Sequence, residues 1–213
     1  MQFHDRTHAG RELAARLRIQ QEKGALAHPV VLALPRGGVV VAREVADALE
    51  APLDVLVACK IGSPFQEELG VGALAGDDPP LFDEEALDQL GLTKSDLEEV
   101  VERERAEVHR REDLYRQGRA APDLRGCTAI IVDDGLATGS TARASLRRVR
   151  RQSPERVVLA VPVCSPRAAD LMREEADDVV CLHRPSTFMA VGQWYENFEQ
   201  VTDDEVIAAL HRQ

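Results

Sequence analysis

Short runs of aliphatic and β-branched residues alternate along the chain with longer stretches whose apolar positions recur at helical spacing. The first 23 residues read as a helix, with Leu13 and Leu17 on one side and Lys23-Gly24 as its stop. Val30 to Pro35 (VVLALP) is a continuous apolar run, the pattern of a strand buried on both faces. Gly37-Gly38 opens a second helix through Leu49, Pro52 ends the turn after it, and Asp54 to Lys60 (DVLVACK) reads as the next strand. The strand pattern returns at Thr128 to Asp134, Arg156 to Cys164 and Asp178 to Arg184, with helices over Thr138 to Gln152 and Pro166 to Glu175 between them. A last helix starts at Asp203. This rhythm predicts an α/β fold around a central, mainly parallel sheet flanked by helices. Ligands in such folds sit at the carboxyl ends of the strands, so the loops after residues 35, 60, 134, 164 and 184 are the candidates for chemistry.

Three stretches break the rhythm. Gly62 to Pro80 is rich in glycine and proline with two short alternating segments, which fits either a hairpin or a mobile loop. Ser95 to Gln117 is intensely charged and helical, and Ser95 followed by Glu98 has the spacing of a capping box. Its stripe of Leu97, Val101, Val108 and Tyr115 is narrow, so this helix is expected on the surface, held along one seam. From Pro185 the chain is irregular and gathers Phe188, Trp194, Tyr195 and Phe198. No repeat or linker interrupts the sequence, and residues 1–213 are read as a single domain.

Composition acts mainly by exclusion. Acidic residues number 37 against 26 basic, a formal charge of -11. No broad nucleic-acid or anionic-membrane surface is expected, because polyphosphate repels an acidic protein unless its basic residues gather on one face. No apolar run approaches the ~18 residues that span a bilayer, and charges stand where a signal peptide needs its apolar centre. Cys59, Cys127, Cys164 and Cys181 are irregularly spaced and read as reduced residues, so a cytoplasmic protein is expected. The histidines include no H-E-x-x-H, with His4 and His8 reading as a surface pair near a frayed end, and neither strand-to-helix turn carries G-x-G-x-x-G. A metal-centred hydrolase and a dinucleotide oxidoreductase are both disfavoured.

The densest chemistry lies in AIIVDDGLATGSTARASL, Ala129 to Leu146. A buried strand ends in Asp133 and Asp134, and Thr138, Gly139, Ser140 and Thr141 then open a helix. Backbone N–H groups and hydroxyls at a helix start suit a phosphate dianion. Carboxylates beside such a pocket make sense if they accept from vicinal hydroxyls or hold a metal that also touches the ligand. Taken singly, these residues fit an Asx turn and an ordinary N-cap; as a constellation at one strand end they point to a ribose 5-phosphate. LPRGG, Leu34 to Gly38, adds a cation and two glycines at another strand end. Arg36 can supply charge-assisted hydrogen bonds of roughly 1.5–3 kcal/mol. The plain alternative is a turn in which glycine supplies a positive φ.

The strand, acidic pair and Ala-Thr-Gly-Ser-Thr loop of IIVDDGLATGST resemble the type I phosphoribosyltransferases, over roughly residues 28–62 and 126–200. The resemblance implies transfer of the 5-phosphoribosyl group from 5-phosphoribosyl 1-pyrophosphate (PRPP) to a nitrogenous base or base-like acceptor, with release of pyrophosphate, in Mg2+-dependent nucleotide salvage. It implies that Asp133 and Asp134 meet the ribose hydroxyls and the metal, and that Ala137, Thr138, Gly139, Ser140 and Thr141 hold the 5-phosphate. Arg36, Gly37 and Gly38 become the pyrophosphate loop, with a cis Pro35–Arg36 bond and Lys60 as the basic residue beside it. Arg36, Lys60 and Asp134 are then the residues on which turnover depends. Residues 62–80 fall at the family's mobile lid, and 185–213 at its C-terminal hood and helix. In the hood, Phe188 or Trp194 would stack on the base, the backbone near Val191 would meet its edge, and Glu196 would reach the metal.

The chain departs from the family pattern twice. Ala137 stands where members acting on hypoxanthine or guanine carry an aspartate, which argues against a 6-oxopurine. Residues 81–120 form a helical insertion absent from short members, and the sequence leaves open a cap, a homodimer contact or a regulatory surface. The alternative function is a non-catalytic regulatory protein of the same fold that senses PRPP or a nucleotide. Ala137 leaves room for it, while Arg36, Lys60 and the aromatic hood favour the enzyme.

Overall fold

The computed structural model describes residues 2–212. Helix α1 (Arg6–Glu22) precedes β1 (Pro29–Ala33), α2 (Gly37–Leu49) and β2 (Leu53–Val55). Strands β3 (Ala58–Ser63), β4 (Gln66–Ala75) and β5 (Leu81–Phe82) follow, then α3 (Glu84–Leu90), a 3-10 turn over Lys94–Leu97, and α4 (Glu98–Arg116). The second half alternates strictly: β6 (Thr128–Val132), α5 (Ser140–Arg150), β7 (Arg156–Val163), α6 (Pro166–Arg173) and β8 (Asp178–His183). A 3-10 turn over Val191–Trp194 and α7 (Asp203–His211) complete the order.

Five strands form a parallel sheet in the order β2-β1-β6-β7-β8. Both faces are covered, which explains the continuous apolar runs: successive side chains enter opposite cores. Val31, Ala33, Ile130, Val132, Val158 and Ala160 share one core with residues of α1, α2 and α7. Leu32, Ile131, Leu159 and Val161 share the other with Ala142, Leu146 and Val149 of α5 and Ala168 and Met172 of α6. The central strand β6 is buried along its whole length, so the residues that follow it emerge from the middle of the molecule.

The stretch read as one strand over Asp54 to Lys60 is two. β2 pairs with β1, and the chain then leaves the parallel sheet so that β3 pairs antiparallel with β4. Burial shows why: Ile61 and Ser63 are buried while Lys60 is exposed, the alternation of a strand with one wet face. Of the two options for residues 62–80, the structure takes the hairpin, with β5 as a third, short strand.

In the insertion, the capping box lies two residues earlier than expected. Thr93 caps the 3-10 turn and Asp96 answers it, whereas Ser95 and Glu98 only touch each other, at 3.4 Å. Aspartate is the shorter acceptor, and the tighter turn suits it. The expected seam does hold α4: Leu97, Val108 and Tyr115 are fully buried against the hairpin and α7. Glu112 joins them, bonded to Arg148 at 2.7 Å, while Arg116 reaches buried Asp54 at 3.0 Å. The Pro35–Arg36 bond is cis. The four cysteines are free thiols, and among the described residues no helix is long and apolar enough to cross a membrane.

Candidate active site

Asp133 and Asp134 leave the carboxyl end of β6 and meet the N-terminus of α2. The fit is close. A Cβ on Gly37 would overlap Asp134 Oδ2, and one on Gly38 would stand 2.9 Å from both Asp133 Cα and the Val132 carbonyl. Neither glycine has a positive φ. The pair is therefore required by close approach rather than by left-handed backbone, and it brings the first turn of α2 against the acidic pair. Burial, and then the neighbouring Asp134 charge, push the Asp133 carboxyl well above its ordinary value. Burial also raises Asp134, an effect opposed by the Arg6 guanidinium. Two adjacent, desolvated carboxylates favour a partner that donates hydrogen bonds or brings positive charge.

The loop after the pair is pinned from beneath. Leu136 bridges Cys164, and the Ser165 hydroxyl donates to the Ala137 carbonyl at 2.6 Å. Ala137 and Thr138 are exposed, and Gly139, at φ 80°, occupies the cap position of α5. Helix α5 begins at Ser140, two residues after the expected Thr138, because only glycine meets that φ without strain. No side chain caps α5. The first-turn N–H groups, with Ser140 and Thr141 beside them, are left for an anion.

Arg36 caps α2 with its backbone, and its guanidinium lies 3.9 Å from Asp203 Oδ1 of α7. Asp203 also accepts from the Tyr115 hydroxyl at 2.6 Å, so α2, α4 and α7 meet there. Lys60 does not close a strand of the parallel sheet. It lies in β3, exposed, with Nζ donating to the Glu68 carbonyl across the hairpin at 2.9 Å. The β2–β3 break, invisible in an unbroken apolar run, moves it there.

The C-terminal segment comes to the acidic pair through Val191, whose side chain lies directly over Gly135. Phe188 and Trp194 stand nearly parallel, with ring centroids 6.5 Å apart. Tyr195 is buried and its hydroxyl donates to the Asp134 carbonyl at 2.6 Å. Sequence reasoning missed Arg6 and Tyr195. Arg6 Nε donates to Asp134 Oδ2 at 2.7 Å, and its guanidinium lies 3.8 Å over the Phe198 ring. Residues 3 and 4 are held by the C-terminal segment, where a frayed end was expected: Phe3 bridges Tyr195, and His4 Nδ1 lies 3.0 Å from Glu196 Oε2. Glu196, expected at the metal, instead faces His4 and is exposed.

Asp133 and Asp134 are hard oxygen donors in a half-buried setting. They fit Mg2+, which is commonly held by one or two carboxylates with phosphates and water completing its shell. Among the described residues no three His, Cys, Asp or Glu side chains gather to hold a metal, so a complete protein cage is not built here.

The chain is 45% identical over 210 residues to proteins of two Mycobacterium tuberculosis strains named "Putative phosphoribosyl transferase", covering 99% of this chain and 46% of theirs. It thus spans about half the length of the curated relatives it matches. The crystal structure of the protein TT1426 from Thermus thermophilus is 41% identical, with a TM-score of 0.81 over 99% of this chain and 98% of that one. The AQ2163 protein of Aquifex aeolicus shares the fold alone, at 12% identity and a TM-score of 0.54 over 97% and 85% of the two chains. A family model described as the phosphoribosyl transferase domain matches residues 2–205, and the chain belongs to that family.

Proposed function

We propose that this domain transfers the 5-phosphoribosyl group of PRPP to a ring nitrogen of a base or base-like acceptor and releases pyrophosphate. One observation carries the reading: the half-buried pair Asp133–Asp134 sits against the first turn of α2 on one side and runs into an uncapped helix start at Gly139 on the other. Hydroxyl acceptors thus stand between two anion-binding turns, the pattern of a sugar with phosphate groups at both ends.

In this reading Asp133 and Asp134 accept the ribose hydroxyls, and residues 137–141 hold the 5-phosphate through backbone N–H groups and hydroxyls. Arg36, with the Gly37 and Gly38 amides, stabilises the negative charge that grows on departing pyrophosphate. Lys60 serves there only if the hairpin closes, which its place in β3 makes a property of the lid. Bound Mg2+ supplies charge neutralisation on the pyrophosphate. The half-buried Phe188, Trp194 and Val191 form the wall against which a planar acceptor is oriented, and residues 62–80 and 185–213 act as lid and hood.

The deciding measurement is pyrophosphate release from PRPP with Mg2+ across a panel of bases. Turnover with at least one acceptor, lost in Arg36→Ala with the far-ultraviolet spectrum unchanged, supports transfer. Saturable PRPP binding without release for any acceptor favours the sensing role that the exposed Ala137 would permit. No binding at all overturns the reading.

A further inference from the structure

Helix α1 sends one side chain into the site, and that side chain touches two distant parts of the chain at once. Arg6 donates through Nε to Asp134 Oδ2 and through Nη1 to the Glu199 carbonyl, both at 2.7 Å. Its guanidinium lies 3.8 Å over the Phe198 ring and 6.0 Å from the centre of Tyr195. The ion pair is sheltered, with 11% of the Arg6 side chain and 15% of Asp134 exposed.

We infer that Arg6 is a positioning residue that fixes the Asp134 carboxylate and ties it to residues 193–199, coupling ligand binding at the acidic pair to the order of the aromatic segment. This deepens the sugar-phosphate reading above and rests on it. The planar guanidinium can donate in two directions while presenting its face to an aromatic ring; an ammonium group cannot hold that arrangement. Arg6 takes one acceptor site of Oδ2, and Oδ1 with the second site of Oδ2 remains for a ligand. The contact has no slack: a Cβ on Gly37 would overlap Asp134 Oδ2 and stand 2.8 Å from Arg6 Nε. A hydroxyl that draws Asp134 toward it therefore loads Arg6, and through Arg6 the Glu199 backbone and the Phe198 ring. The same segment is stitched to the N-terminus by Phe3 N to the Trp194 carbonyl and Glu196 N to the Phe3 carbonyl, each 2.8 Å.

The chain contains a single tryptophan, Trp194, so its emission reports on this segment alone. In ligand-free protein, Arg6→Gln and Arg6→Lys should both raise the acrylamide quenching of Trp194 while leaving the far-ultraviolet spectrum unchanged. In titrations with Mg2+ and PRPP, the wild type should show heat and a Trp194 change that saturate together. Arg6→Gln should lose about tenfold in affinity, the scale of one charge-assisted hydrogen bond. Arg6→Lys keeps the cation and should recover most of that affinity without recovering the Trp194 response. A merely structural arginine would shift melting temperature and leave the Trp194 coupling intact, which overturns the inference, as does unchanged quenching in both variants. If Arg6→Gln does not fold, Arg6→Lys decides. Wild-type protein that binds no PRPP overturns the functional reading instead, while ligand-free quenching still judges the Arg6 tie.

Discussion

At the scale of single residues, the site is built by what is missing as much as by what is present. Gly37 has no side chain because Asp134 and Arg6 occupy the space. Gly37→Ala must displace Asp134 or unwind the first turn of α2. Its expected result is loss of Mg2+–PRPP affinity by at least about tenfold, since one misplaced hydrogen-bonded carboxylate is worth roughly 1.5–3 kcal/mol, measured by calorimetry. The residues legible in the sequence are those whose partners are close along the chain. Asp133, Asp134 and the 137–141 loop follow one another, so local spacing brings the proposed site to notice. Arg6 acts on a residue 128 positions away, and an arginine in an amphipathic helix carries no mark of that assignment. Gly37 and Gly38 stand where the sequence points, and the plain alternative fails, since neither has a positive φ: a short string of letters cannot distinguish a demand for positive φ from a demand for space.

At the scale of elements, hydrophobic period locates every strand of the parallel sheet, because strands buried on both faces leave continuous apolar runs. It misses the point where the chain changes sheets, since DVLVACK stays apolar across the break between β2 and β3. It also shows the α4 seam without the charges inside it. Glu112 sits between Arg148 of α5 and Arg116, which continues to Asp54 of β2, and so fastens the insertion to the core. Glu112→Ala leaves the half-buried Arg148 guanidinium without its carboxylate, while Arg116 keeps Asp54, and should cost about 1–3 kcal/mol, read from the urea midpoint. Glu175 links α5 to the turn after α6 by accepting from Arg147 and Arg143, and the Arg147 bond, foremost, holds its carboxyl below the ordinary value of 4.5. A depressed carboxyl stabilises the fold above its unfolded value and loses that contribution as pH falls through its folded one. Wild type should exceed Glu175→Gln by about 1 kcal/mol at neutral pH, and melts taken at successively lower pH should show the gap closing below the ordinary value.

At the scale of the whole molecule, residues 3–6 and 193–199 close on each other beside the acidic pair. Phe3 is buried between Tyr195 and His183, with ring centroids 5.5 and 5.2 Å away. Phe3→Ala should cost about 3 kcal/mol in chemical denaturation and shift Trp194 emission to the red, because the cavity opens under the C-terminal segment. A destabilised protein with unshifted emission would place the role of Phe3 elsewhere. None of this closure is legible in the sequence, since aromatic residues at both ends fit local packing equally well until the fold brings them together. The insertion takes part in the same geography. Tyr115 of α4 and Arg36 of α2 converge on Asp203 of α7, so a surface helix and the proposed pyrophosphate loop share one carboxylate.

The clasp between residues 3–6 and 193–199 also sets a schedule for biosynthesis. A polypeptide emerging from the ribosome exposes its acidic pair and its helix-start loop well before the segment that steadies them has been translated. The sheet can assemble on that partial chain, but Asp134 has no counter-tether to the aromatic segment until Glu199 has cleared the exit tunnel. Competence for the proposed sugar phosphate should therefore appear only after Glu199 has left the tunnel, later than the emergence of Asp133 and Asp134 themselves.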